Sequence, residues 1–236
     1  MIAAGLDPER IGAILFDVDG TLADTHEALS IRLAHALRPV AGLFPRRDPR
    51  PAARRLLLAT ETPANFLYTL ADRLGLDQLA GPVLDALHWA RGEGRPQRYL
   101  LIPGVRAALD QLQTRYRLGI VSARDARGVH AFLDQFGLAH TFECVITART
   151  CWRTKPHPAP VLRAAEELGL LAQACVMVGD TVVDIRAGKR AGAQAIAVLC
   201  GFGERGELTA AGADLVLETT ADLPDVLLGR RRPSDG

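Results

Sequence analysis

Two carboxylates stand two residues apart in Asp17-Val18-Asp19-Gly20-Thr21, directly behind the apolar run Ile11-Gly12-Ala13-Ile14-Leu15-Phe16. Carboxylates at that spacing, followed by a glycine that lets the backbone turn sharply, suit a hard cation and a phosphate. A carboxylate held beside a divalent cation can also act as a nucleophile toward phosphorus. The same tetrapeptide pattern occurs in ordinary turns, because Asp and Gly favour turns for local reasons. The rest of the chain therefore has to decide between the two readings.

Three further polar positions carry the argument. Gly119-Ile120-Val121-Ser122-Ala123 reads as a strand ending in a hydroxyl. Ser122, with the N–H groups of the following turn around Ala123, would suit a phosphate oxygen at a helix N-terminus. Taken alone, Ser122 reads better as a cap of the next helix or of its turn. Lys155 lies in Thr154-Lys155-Pro156-His157-Pro158. Two prolines stiffen that loop, and an ammonium aimed from it is what a phosphate site needs. A solvated lysine is the plainer alternative, and His157 is read as a bystander. Val176-Met177-Val178-Gly179-Asp180 runs from apolar strand into carboxylate, and Asp184 follows four residues later. That spacing brings Asp180 and Asp184 to one side of a helix start. Capping by Asp180, with Asp184 favoured by the helix dipole, is compatible with the same arrangement.

These residues need a frame to bring them together. The uninterrupted apolar run 11–16 predicts a strand buried on both faces, as in a parallel sheet. From Pro103 onward strands and helices alternate. Helices are expected at Pro103–Arg115, Ala126–Phe136, Ala159–Leu168, Val182–Ala191, near Glu204–Ala211 and near Ala221–Leu228. Strands are expected at Arg117–Ser122, Glu143–Thr147, Cys175–Gly179, Gln194–Cys200 and Asp214–Glu218. Such alternation implies an α/β fold, a doubly wound parallel sheet with helices on both faces. All four polar sites then fall on the edge formed by the C-terminal strand ends, where ligands bind in such sheets. Residues 22–100 show no convincing strand and read as helices at 25–37, 54–59, 64–74 and 77–91. The expected organisation is a core of residues 1–22 and 100–229, a helical insertion at 23–99, and a frayed tail at 230–236.

Bulk properties exclude several classes. The chain has 236 residues, a formal net charge of +1 and 48% hydrophobic residues. The charge balance points to neither nucleic acid nor a membrane surface. No stretch of about 18 uncharged apolar residues is present, and residues 1–10 lack the apolar segment of a signal peptide. Cys144, Cys151, Cys175 and Cys200 are dispersed without a C-x-x-C pair. Reduced thiols in a cytoplasmic protein are expected, and a zinc site is not. Oligomeric state is not readable from the sequence.

The four sites, in this order, resemble the motifs of the haloacid dehalogenase-like (HAD) hydrolase superfamily. Those are Asp-x-Asp-Gly-Thr, a strand-terminal Ser or Thr, a Lys ahead of a helix, and Gly-Asp-x-x-x-Asp. The resemblance spans the whole chain and implies a Rossmann-like core with an all-helical cap inserted at 23–99. It implies Asp17 as the nucleophile that forms an aspartyl-phosphate, and Asp19 as the acid and base. It implies Mg²⁺ held by the Asp17 carboxylate, the Asp19 backbone carbonyl and Asp180, with Asp184 on metal-bound water or orienting Lys155. Ser122, Lys155 and backbone N–H groups near Gly20 and Ala123 would neutralise the phosphoryl oxygens. Thr21-Leu22-Ala23-Asp24-Thr25 and Gly201-Phe202-Gly203 are similar to the phosphoglycolate phosphatase-like group, which implies a small phosphorylated metabolite as substrate. A β-phosphoglucomutase-like phosphotransferase is the alternative, followed by a non-catalytic binding protein. Ala123-Arg124 after Ser122 departs from the more familiar Asn-Lys, and Arg124 is read as solvent-facing. The cluster Arg46, Arg47, Arg50, Arg54 and Arg55 reads as an exposed face of the insertion.

Overall fold

The structure is a computed structural model that describes residues 5–25, 99–151 and 153–229. The expected helices at 25–91, the arginine cluster at 46–55 and the tail at 230–236 lie outside the described residues, Thr25 excepted. The described residues gather into one compact unit built from both sides of residues 26–98.

In chain order this unit comprises β1 (Ala13–Phe16), α1 (Val105–Leu112), β2 (Arg117–Val121), α2 (Ala126–Phe136), β3 (Cys144–Ile146), α3 (Ala159–Glu167), β4 (Cys175–Gly179), α4 (Val182–Arg190), β5 (Gln194–Val198), α5 (Arg205–Ala210), β6 (Leu215–Leu217) and α6 (Leu223–Leu227). The six strands form one sheet in the order β3-β2-β1-β4-β5-β6. Every pairing is parallel. The order reverses between β1 and β4, and that switch point is where doubly wound sheets bind ligands. Asp17 follows β1 and Asp180 follows β4, so the two carboxylates flank the crevice. The expected fold class is the observed one.

Side-chain alternation explains why the sheet is covered on both faces. Ile14, Phe16, Ile120, Val176 and Val178 pack with Val105, Leu109, Leu112, Val129, Phe132 and Leu223 from α1, α2 and α6. Ala13, Leu15, Val121, Ile146, Cys175 and Met177 point the other way, against Val161, Ala164, Ala165 and Ala187 from α3 and α4. Burial of each large apolar side chain contributes about 1.5–3 kcal/mol, so the two layers hold the strand ends rigidly in place.

Element ends differ locally from the expectation. α1 starts at Val105, because Gly104 adopts φ +81° and breaks the turn that Pro103 would have opened. The last expected helix splits into a 3-10 turn at Thr220–Asp222 and α6, with Pro224 in its first turn. α2 is capped by Asp125, whose side chain accepts from the Gly128 N–H. Ser122 is therefore not that helix's cap. The four cysteines are free thiols. No helix among the described residues is long and apolar enough to cross a membrane.

Candidate active site

The loop after β1 is shaped by its own backbone. The Val18 carbonyl accepts from both Leu22 and Ala23 N–H groups, at 2.9 and 2.8 Å. Gly20 closes the turn by donating to the Ala23 carbonyl at 2.9 Å. Its φ of +74° favours glycine, and a Cβ there would stand 2.2 Å from Asp180 Oδ2. The Gly20 N–H is thus committed inside the loop. The Ala123 N–H has no hydrogen-bond partner among the described residues. Ser122 is buried, and its Oγ accepts from the Arg124 N–H at 3.1 Å, so it shapes its own turn.

Three carboxylates converge beneath this loop. Asp17 is 8% exposed, and Asp180 and Asp184 are fully buried. One ligand oxygen from each lies within 4.8 Å of the others. Lys155, 5% exposed, reaches in from the loop ahead of α3. Its Nζ donates to the Val121 carbonyl at 2.8 Å and sits 2.8 Å from Asp17 Oδ1 and 2.6 Å from Asp184 Oδ1. The plain reading of Lys155 as a surface lysine is excluded. His157 stays local, its Nδ1 accepting from the Ala159 N–H at the start of α3.

Asp180 is gripped from two directions. Thr21 Oγ1 donates to its Oδ1 at 3.2 Å, and the Phe202 N–H donates to its Oδ2 at 2.8 Å. It does not cap α4. Thr181 holds that position, and the Asp184 side chain accepts from the Thr181 N–H and hydroxyl. The Gly201-Phe202-Gly203 loop after β5 has a steric reason for its glycines. A Cβ on Gly201 would fall 2.1 Å from Asp180 Oδ2, and one on Gly203 would fall 2.2 Å from the Asp180 carbonyl oxygen. Gly201→Ala is therefore expected to push the Asp180 carboxylate aside while leaving the core folded. Divalent-cation affinity should fall by about 10- to 100-fold, the usual cost of disturbing a ligand's support. Calorimetric titration beside a melting curve checks this, and unchanged affinity would refute the steric argument.

The electrostatics favour a cation. Burial raises the Asp17 carboxyl to about 7, against Lys155 and with help from Asp184 and Asp19. Burial also drives Asp180 well above its ordinary value, reinforced by Asp184 and Asp17. Burial works against the charge on Lys155, yet the attraction of Asp17 and Asp184 holds its pKa raised. Three buried carboxylates thus face one ammonium. Asp184 Oδ1, although close to Lys155, makes no hydrogen bond of ordinary geometry. An all-oxygen donor set in which three buried carboxylates share a single ammonium fits a hard divalent cation held by Asp17, Asp180 and Asp184.

Asp19 stands apart from that triad. Thr25 Oγ1 donates to its Oδ1 at 2.7 Å, and Arg124 clasps it through Nε and Nη2. Burial would raise the Asp19 carboxyl, but the Arg124 charge and these hydrogen bonds outweigh it and hold it below its ordinary value. Arg124 is only 12% exposed along its side chain. This corrects the reading of Arg124 as solvent-facing. A lone arginine after a strand carries no sequence signal of its partner, since Asp19 and Arg124 are joined only by the β1–β2 pairing. The grips from Thr21, Thr25 and the Phe202 backbone carry no sequence signal either, although Thr21, Thr25 and the Gly-Phe-Gly loop neighbour the motifs.

Fold and site together define a hydrolase of the doubly wound α/β class with a strand-end carboxylate centre. The family of haloacid dehalogenase-like hydrolases matches residues 14–198, and the chain belongs to that family. It is similar to a phosphoglycolate phosphatase of Nitrosococcus oceani, 27% identical over 91% of this chain and 95% of that protein. It is likewise similar to the pyrophosphatase PpaX of Bacillus velezensis, 31% identical over 91% of this chain and 95% of that one. Among solved structures, a predicted phosphoglycolate phosphatase from Haemophilus somnus shares the fold, with a TM-score of 0.63 at 21% identity over 92% of this chain and 98% of that one.

Proposed function

We propose that the protein is a Mg²⁺-dependent phosphatase acting on a small phosphorylated metabolite, with residues 1–22 and 100–229 as its core and residues 23–99 as an inserted cap domain. The observation that carries the reading is the buried triad of Asp17, Asp180 and Asp184 against Lys155, with Asp19 held outside it at the same strand edge. The phosphatase and pyrophosphatase names of the relatives support the same reaction class.

Asp17, Asp180 and Asp184 would hold Mg²⁺, with the Asp19 backbone carbonyl as a further donor. The ion supplies charge neutralisation for a phosphoryl group when bound. Asp17 attacks phosphorus through a carboxylate oxygen, and the bond from phosphorus to the leaving oxygen breaks as Asp19, released from Arg124 and protonated from solvent beforehand, passes that proton to the leaving oxygen. Water then attacks the aspartyl-phosphate, gives its proton to Asp19, and releases inorganic phosphate with Asp17 restored. Lys155 keeps Asp17 aligned and, with Ser122 and the Ala123 N–H, balances charge on the phosphoryl oxygens.

Metal binding is expected to be visible without turnover. Mg²⁺ at about a hundredfold above its dissociation constant should stabilise the fold by ~2.7 kcal/mol. The corresponding rise in melting temperature should vanish with EDTA and in Asp180→Asn. Equal shifts in Asp180→Asn and the parent protein would exclude this triad as the metal site. The function itself is tested by phosphate release from phosphoglycolate, sugar phosphates, nucleotides and pyrophosphate, with Mg²⁺ and with EDTA. Metal-dependent release supports the proposal. Isomerisation of a sugar phosphate without release would favour a phosphotransferase, and no reaction at all in a Mg²⁺-binding protein would favour a non-catalytic one.

A further inference from the structure

Arg124 and Asp19 form a second charged unit beside the carboxylate triad. Arg124 Nε donates to Asp19 Oδ2 at 3.0 Å, Nη2 donates to Oδ1, and Thr25 Oγ1 adds a third bond to Oδ1. A carboxylate has roughly four acceptor positions, so Asp19 has one to spare. The guanidinium lies over the Tyr99 ring, its carbon 5.2 Å from the ring centroid, and Nη1 is 3.4 Å from the Tyr99 hydroxyl. Tyr99 is itself fixed. Gln135 bonds its backbone N–H and carbonyl at 3.0 and 2.8 Å, its hydroxyl donates to the Gly128 carbonyl at 3.1 Å, and its ring meets Phe132 edge-on at 5.7 Å. A guanidinium held against a fixed ring by cation–π attraction keeps its position.

This placement has a consequence for the leaving group. In the reaction proposed above, Asp19 must meet the leaving oxygen as an acid, yet Arg124 and Thr25 together take three of its roughly four acceptor positions, and the Arg124 charge holds it ionised. Uncovering Asp19 breaks a partly buried ion pair, at 12% and 29% side-chain exposure, and gives up its two-pronged charge-assisted bond. A neutral leaving group offers nothing in exchange. A leaving group bearing its own carboxylate or phosphate a few bonds from the ester oxygen offers Arg124 an equivalent acceptor. We propose that Arg124 selects phosphorylated substrates whose leaving group carries a second anion, exchanging Asp19 for that anion and so uncovering the acid for the leaving oxygen. This rests on the phosphatase reading and names the substrate class of the same site.

The test compares phosphoglycolate with 2-hydroxyethyl phosphate, in which a neutral hydroxymethyl group replaces the carboxylate, in the parent protein, Arg124→Lys and Arg124→Gln. Pyrophosphate forms a parallel arm that separates carboxylate from phosphate as the second anion. The parent protein should prefer an anionic substrate in kcat/KM by about 10- to 100-fold, the range of a charge-assisted hydrogen bond. In Arg124→Gln that preference should collapse toward unity, and Arg124→Lys should retain part of it. Binding of 3-phosphonopropionate against propylphosphonate, read by calorimetry with Mg²⁺, should show the same preference and the same loss without turnover. A parent protein indifferent to the second anion would overturn the proposal. So would an Arg124→Gln variant in which both esters fall by the same factor, because Arg124 would then only brace Asp19. Absence of phosphate release from every substrate in the parent protein is a different failure, of the phosphatase reading itself, and would take this proposal with it.

Discussion

Asp17→Asn is expected to reduce metal-dependent phosphate release by on the order of 10⁴-fold or more, the scale of losing a covalent nucleophile. The substitution changes almost no volume, so packing around the fully buried Phe16 and Val18 is untouched. It also removes one of three carboxylates that repel one another around Lys155. The metal-free variant should therefore melt no lower than the parent protein, which separates chemical loss from unfolding. Lowered Mg²⁺ affinity is a second effect of the same change, and saturating Mg²⁺ removes it from the comparison. Measurements at saturating Mg²⁺ that left more than a small residue of turnover would exclude Asp17 as nucleophile. A protein-bound phosphate that hydroxylamine releases in the parent protein, absent from Asp17→Asn, would identify the covalent step directly.

Much of this site was legible because its residues sit at strand ends, and strand ends follow from apolar runs. The run 11–16 and the run 175–179 are buried throughout their described strand lengths, and each delivers a carboxylate one residue later. Asp17 and Asp180 could be found for that reason, with Asp19 on the same loop and Asp184 one turn into α4, whereas Lys155 stood out through the prolines that follow it. The contacts that fix them could not. Phe202 holds Asp180 through a backbone N–H, which no side-chain pattern reports. Arg124 meets Asp19 across 105 positions of sequence, and only the β1–β2 register brings them together. Helix starts were misplaced for a related reason. At Gly104 a positive φ, and at Thr220–Asp222 a tight 3-10 turn, redirect the chain at points where propensity alone would continue a helix.

The same geometry makes Lys155 the residue whose loss should hurt most. Its ammonium is the cation that Asp17 and Asp184 share, and its bond to the Val121 carbonyl ties the α3 approach loop to the end of β2. Lys155→Met keeps the length and apolar stem but leaves two buried carboxylates without their counter-charge. Removing one partner of such a buried pair costs about 3–5 kcal/mol. The metal-free variant should melt well below the parent protein, and turnover should be lost with it. Two further measurements distinguish charge imbalance from poor packing. Adding Asp184→Asn to Lys155→Met should restore part of the lost stability, a coupling that a packing defect would not produce. Mg²⁺ should also raise the melting temperature of Lys155→Met by more than it raises that of the parent protein, because the ion would then supply the positive charge that the lysine no longer does. If neither the second substitution nor the metal recovers stability, Lys155 acts by filling space, and the electrostatic account of this centre fails.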